Sequence, residues 1–434
     1  MKKSLALVLT AVVAFSLIMF AGCSRSDAPA STPAASTVTA PAVVRAEPVQ
    51  PAPVSAAYAD GIYFAAMDGF SASGWKETVT LTVENGKIIQ ADWNAVHQNG
   101  GADKKTHDKA GKYNMVRFGG AQDEWYIQAE RVEAFLLKTQ DPNAISYRDD
   151  KGHTDDIASV SVHVDSFFEL AAKALAQGPV GRGPYADGAY FAIADELFAP
   201  GWRDYVSLTV LNGRIASANW SAINHSGDDK KAFDRAGRYA MVQRGNAQAE
   251  WFVQAQKAEA FLIEHQDPKA IAYSDDQGHT DEIAGVSIRI NALFDLAAKA
   301  LEAGPAKIGP YTDGAYFATA DAPAASGWKG FVSLLVNNGN IQSAYWSATD
   351  KDNRDKKQVA ASGAYNMISA SSIQKEWHEQ AAVVEAHLLA TQDPKQITYK
   401  DGGSFTDDIA GATIRVNEFF DLAAKALASG PKKY

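Results

Sequence analysis

Hydrophobic and polar residues alternate along residues 78–83, Thr-Val-Thr-Leu-Thr-Val, and the chain is extended again along residues 87–93 after the pair Asn85-Gly86. A period of two on either side of an Asn-Gly break predicts two antiparallel strands joined by a tight hairpin. The period then lengthens. Tyr126, Ile127, Ala129, Val132, Phe135 and Leu136 recur at helical spacing, which predicts a helix over residues 124–139 that stops before Asp141-Pro142. A last helix is expected from Asp165, read as its N-cap, through the apolar-rich residues 167–175. Strands followed by helices give an α+β fold with an antiparallel sheet.

The whole pattern occurs three times. Asp60-Gly61-Ile62-Tyr63-Phe64 returns as Asp187-Gly188-Ala189-Tyr190-Phe191 and Asp313-Gly314-Ala315-Tyr316-Phe317, a period of 126 to 127 residues. All nine tryptophans fall into register: Trp75, Trp202 and Trp328 after a glycine, Trp93, Trp220 and Trp346 at the end of the second hairpin strand, and Trp125, Trp251 and Trp377 at the start of the helix. A domain-sized period predicts three tandem globular repeats, over residues 58–180, 185–305 and 311–430, set as closely spaced beads on short Gly/Pro-rich connectors. Trp93, Trp220 and Trp346 read as core residues. The Gly-Trp pairs read as loop residues with faces free for stacking, and the repeated Asp-Lys-Lys at 103–105, 229–231 and 355–357 reads as a solvated loop.

The N-terminus adds location. Lys2 and Lys3 precede an apolar stretch over residues 5–20, and Phe20-Ala21-Gly22-Cys23 ends it. This resembles a bacterial lipobox, with residues 1–22 as signal peptide and Cys23 as the lipidated residue. The resemblance implies anchoring to a cell or outer membrane through acyl chains, each buried CH2 adding about 0.8 kcal/mol. Residues 23–57, rich in Pro and Ala, are expected to form a semi-extended tether without chemistry of its own.

Composition then removes function classes. The formal net charge is −10, from 41 basic and 51 acidic residues, which disfavours nucleic acid as a partner. One cysteine leaves no disulfide framework and no multi-thiolate metal site. The nine histidines do not fall at metal-ligand spacing, so no metal site is expected, and neither a nucleophile elbow nor a phosphate-binding loop occurs.

Several of these motifs stand together in one order: Asp-Gly-x-Tyr, the Asn85-Gly86-Lys87-Ile88 hairpin, Tyr113-Asn114-Met115, Gln140-Asp141-Pro142, and Asp407-Asp408-Ile409-Ala410-Gly411-Ala412-Thr413 before a Phe-Phe helix. This order resembles the FMN-binding domain that occurs in the sodium-pumping NADH:quinone reductase and in the related Rnf electron-transport complex. The pheromone-type flavin lipoproteins, with their lipobox, tether and tandem domains, are the nearest branch. In that family a flavin transferase esterifies the FMN phosphate to the final Thr of Asp-x-x-Ser-Gly-Ala-Thr. The resemblance therefore implies Thr413 as acceptor, with Asp407, Gly411 and Ala412 around it and only Ala410 departing from the motif. Ser287 and Ser161 hold the same position in the other repeats, where Val286 and Val160 add bulk. It further implies a redox carrier rather than a turnover enzyme, exchanging electrons between a membrane oxidoreductase and an extracellular electron acceptor.

A second reading stays open on the residues themselves. The stretches Val162-His163-Val164, Ile288-Arg289-Ile290 and Ile414-Arg415-Val416 alternate as half-buried strands would, which makes the acceptor loops ordinary structure. The chain would then be a cofactor-free lipoprotein module binding a ligand, cell wall or protein partner.

Overall fold

The computed structural model describes residues 58–197, 201–400 and 402–434; the lipobox and tether lie outside them. In the first repeat β1 (Gly61–Ala66), β2 (Trp75–Glu84) and β3 (Lys87–His97) form an antiparallel meander, followed by α1 (Lys104–Lys109), α2 (Met115–Gly119), α3 (Trp125–Thr139) and α4 (Asp165–Gln177). The second repeat follows the same order with β4 (Gly188–Ile193), β5 (Trp202–Leu211), β6 (Arg214–Asn224), α5 (Lys230–Arg235), α6 (Met241–Gly245), α7 (Trp251–His265) and α8 (Asn291–Ala303). The third has β7 (Gly314–Thr319), β8 (Lys329–Asn337), β9 (Asn340–Thr349), α9 (Lys356–Ala361), α10 (Trp377–Thr391) and α11 (Asn417–Ser429), with a single 3-10 turn where the others have their second helix.

The repeated motifs have local reasons. Gly61, Gly188 and Gly314 sit at φ near +140°, and a Cβ there would meet Cβ of Pro179, Pro305 or Pro431 at 2.6–2.8 Å. Only glycine lets the segment after the last helix close on the first strand. The preceding Asp accepts the turn N–H of Gly86, Gly213 or Gly339, at 2.9, 2.7 and 2.7 Å. The Gln before Asp-Pro ends its helix in the left-handed region and uses its amide as a strand substitute. Gln392 accepts from Ile341 N at 2.7 Å and donates to Ile341 O at 2.9 Å.

Each sheet buries one face under its two long helices. In the first repeat Val79, Leu81, Trp93, Trp125, Val132, Leu136, Phe167 and Phe168 form that core. Three expectations change. Trp75, Trp202 and Lys329 open strands, and Trp75 and Trp202 are buried rather than free in loops. The segments before the last helices are not strands: Val164, Ile290 and Val416 donate to the carbonyls of Gly152, Gly278 and Ser404, all at 2.8 Å. With those groups paired to loops, no ladder forms, and the alternation reflects side chains docking on the core. Asp165 is the first residue of α4, whose N-cap is Val164.

All the described residues belong to one compact unit, so the repeats are not separate beads. The outer face of the second sheet meets the end of β3 and the turn after it on one side and the end of β8 on the other. Thr209 donates to Gly101 O at 2.8 Å, Ser217 to His97 O at 2.6 Å, and Ser207 to Asn337 Oδ1 at 3.0 Å. The third repeat also touches the first, through Lys112 Nζ and the carbonyl of Tyr311. No helix among the described residues is long and apolar enough to cross a membrane.

Candidate functional site

The three positions expected from the sequence as acceptors share one geometry. Thr413 is exposed, its N–H and hydroxyl both directed to Oε1 of Gln380, at 2.8 and 3.1 Å. Ser287 does the same with Gln254, at 2.7 and 3.2 Å, and Ser161 with Gln128, at 2.7 and 3.3 Å. Each Gln is buried on the helix that opens with the third tryptophan, where its side-chain N–H groups point to loop carbonyls or a hydroxyl. The fixed amide oxygen accepts from the hydroxyl and holds it against the helix.

The acceptor loop is anchored by its second acidic residue. Asp408 accepts Thr398 N at 2.6 Å, Glu282 accepts Ala272 N at 3.0 Å, and Asp156 accepts Ser146 N at 2.7 Å. Asp407 instead forms a surface ion pair with Lys400, away from the hydroxyl's partners. Gly411 takes φ +85° in this loop, a conformation that suits a close backbone approach.

A cation stands beside every acceptor loop, from changing positions. Arg131 donates to Ser159 O at 2.8 Å and Lys257 to Ala284 O at 3.0 Å. The third repeat has Val383 at that helix position, and Lys375, on the loop before α10, comes within 3.8 Å of where a Cβ of Gly411 would lie. Such a charge suits a phosphate ester.

The second feature is one that sequence reasoning missed. The Asp-Lys-Lys segment is not solvated. Its Asp caps a six-residue helix, at Asp103, Asp229 and Asp355, and the lysines turn inward. The second lysine pairs with a buried glutamate, Lys105 with Glu133, Lys231 with Glu259 and Lys357 with Glu385, each at 2.5 Å. The first lies over aromatic faces. Lys104 Nζ is 4.1 Å from the Trp125 ring centre and 5.0 Å from that of Tyr113. Lys230 keeps 4.1 and 5.2 Å to Trp251 and Tyr239, and Lys356 4.2 and 5.0 Å to Trp377 and Tyr365. Burial disfavours the charged amine and pulls all three down to about 8.

A carboxylate accompanies each of these lysines. Glu77 and Asp204 accept the indole N–H of Trp93 and Trp220, both at 3.2 Å. The third repeat has Gly330 at that strand position, and the carboxylate of Glu418, from α11, fills the space a Cβ there would need. Burial raises Glu418 and Asp204 above the usual carboxylate range. The signal in the sequence was a lysine pair recurring in register beside recurring tryptophans.

In the second repeat the lysine feature and the segment that follows Ser287 border one cleft. A cavity of about 500 Å3 has Lys230, Trp220, Trp251 and Tyr239 on one wall, and Ile288 and Arg289, which directly follow Ser287, on another. That volume lies within the usual range for small-molecule sites. Among the described residues, no group of three or more His, Cys, Asp or Glu is placed to hold a metal ion.

No protein-family profile matches the chain, and no curated protein matches it. Two solved structures are similar to about one repeat's length of it. A Clostridium thermocellum protein, determined in solution by NMR, is 53% identical over 27% of this chain and 90% of its own, with a TM-score of 0.23. A Clostridium perfringens protein, determined by crystallography, is 22% identical over 28% of this chain and 89% of its own, also with a TM-score of 0.23.

Proposed function

We propose that the chain is a lipid-anchored, extracytoplasmic flavin carrier that relays electrons between a membrane oxidoreductase and an extracellular acceptor. Cys23 is its membrane attachment and residues 24–57 the spacer. FMN, when attached, supplies one- and two-electron redox chemistry. The residues present fit that group. Thr413 in the third repeat, and Ser287 and Ser161 in the others, offer an exposed hydroxyl for a phosphoester made by a flavin transferase. Lys375, Lys257 and Arg131 supply positive charge beside the loop. The aromatic rings and the lysine of the cleft favour a flat group that carries negative charge.

The observation that supports this reading is that Ile288 and Arg289, the two residues after Ser287, line one cavity with Lys230 and Trp251. The test is intact mass of the chain produced with an active flavin transferase, with in-gel fluorescence after denaturation. An FMN-sized increment mapping to the Thr413 peptide, and lost in Thr413→Ala without unfolding, is the expected result. Increments on Ser287 or Ser161 peptides would extend the carrier to several flavins. No increment, together with no saturable binding of free FMN, overturns the reading.

The second reading, a cofactor-free binding module, is favoured by one observation. In all three repeats the acceptor hydroxyl already donates to a buried Gln, which gives it a structural use.

A further inference from the structure

The packing of consecutive repeats creates the same pocket twice. One of about 440 Å3 lies at the junction of the second and third repeats, and one of about 310 Å3 at the junction of the first and second. The leading repeat contributes the second residue of its central strand segment, Arg203 or Lys76. The following repeat contributes its lysine–glutamate pair, Lys357–Glu385 or Lys231–Glu259. Neither pocket exists within one repeat.

At the larger junction Arg203 has unspent donors. Its Nε donates to Ala194 O at 2.6 Å and Nη1 to Ser343 Oγ at 3.2 Å, two of five N–H groups. No carboxylate among the described residues forms an ion pair with it. Of the acids that line the pocket, Glu385 pairs with Lys357 at 2.5 Å, Asp195 pairs at the surface with Lys299 at 3.0 Å, and Glu196 is exposed. Beside it the rings of His225 and Tyr345, one from each repeat, stack face to face on each other at 3.6 Å and 9°, and Lys357 Nζ lies 4.5 Å from the centre of the Tyr345 ring. Burial, reinforced by Lys357, holds the His225 imidazole below its ordinary pKa, so the cations facing the pocket are Arg203 and Lys357.

We propose that this pocket binds a small aromatic carboxylate, with the Arg203 guanidinium holding the carboxylate and the stacked His225–Tyr345 pair bordering the ring. A guanidinium fork matches a carboxylate with two parallel hydrogen bonds, which an ammonium at the same place cannot. The junction with Lys76 is therefore the less selective of the two. The site is separate from the acceptor loops and does not depend on flavin.

The test is calorimetric titration of the full chain with 2-naphthoate and with its uncharged counterpart 2-naphthamide. Saturable binding of the carboxylate, at least tenfold tighter than of the amide, is expected. Arg203→Gln should erase that preference, Arg203→Lys should keep part of it, and the triple variant Ser161→Ala, Ser287→Ala, Thr413→Ala should leave it intact. Equal affinity for the two probes, no saturable binding, or an unchanged preference in R203Q overturns the proposal, as does its loss in the triple variant. Should R203Q fail to fold, the R203K variant and the preference of the unaltered chain decide the matter.

Discussion

Lys104, Lys230 and Lys356 each keep an ammonium-bearing side chain largely out of water, held over two aromatic faces with one carboxylate nearby. A cation–π contact returns about 0.5–2 kcal/mol, less than the desolvation of the charge removes, so the amines lose their protons early. The folded chain binds fewer protons than the unfolded chain between about pH 8 and 10.5. Stability from these groups should therefore rise with pH through that window, by up to about 3 kcal/mol per lysine. The gain is cut short above about pH 10, where buried tyrosines such as Tyr205, raised above the usual range, begin to oppose it. Carbon-13 NMR of the lysine Cε groups should show three resonances titrating near pH 8. Titration of all lysines near 10.5 would contradict this account. The register of these lysines was plain in the sequence, but their burial was not. A lysine pair reads as solvated until the Asp before it is seen to cap a helix whose first turn faces the tryptophans.

Among the elements, hairpins and long helices were legible because local rules fix them. Alternation around Asn85-Gly86 gave β2 and β3, and helical spacing gave α3 almost to the residue. The short helices after each sheet, and the irregular stretch before each last helix, were not legible. In the stretch before the last helix, backbone groups are satisfied by partners far away in the chain, such as Gln128 for Ser161 and Val162. The same long-range satisfaction gives a test. Gln392 pairs both backbone groups of Ile341 from 51 residues away. Gln392→Ala leaves them without protein partners and should cost about 1–3 kcal/mol in urea unfolding, with the slope of the transition unchanged. A loss below about 0.5 kcal/mol would mean that water replaces the amide without penalty.

Across the molecule, the decisive fact is that one repeat's sheet is the next repeat's neighbour. β5, β6 and β8 are buried nearly along their length on both faces, whereas β3 keeps exposed positions. Tyr205, Ile223, Ala315 and Leu335 form a cluster between the second and third repeats. The turn after each sheet follows this arrangement. A Cβ on Gly227 would meet the carbonyl of Tyr316 at 2.6 Å, and one on Gly100 the carbonyl of Ser207 at 2.6 Å. The matching turn of the third repeat carries Asn353, at φ +58° and exposed. Gly227→Ala should therefore open the junction and split the thermal unfolding of the chain into two transitions. Asn353→Ala should cost only its left-handed backbone strain, about 1 kcal/mol, within one transition. Calorimetry on both variants checks the contrast, and a single unshifted transition in G227A would refute it.

Local order along the chain was enough to set the threefold repeat, the antiparallel hairpins, the long helices and the positions equivalent to Thr413, because each depends on neighbours within a few residues or on the period itself. Packing, and nothing short of it, set which lysines are buried, which residue supplies the carboxylate or the cation in each repeat, and where two repeats close a pocket. Those depend on side chains well separated along the chain meeting in space, from Lys104 and Trp125, 21 positions apart within a repeat, to Arg203 and Lys357, 154 apart across a junction. Glu418 in place of a strand carboxylate, and Arg203 facing Lys357 across a junction, are products of that meeting which no local pattern encodes.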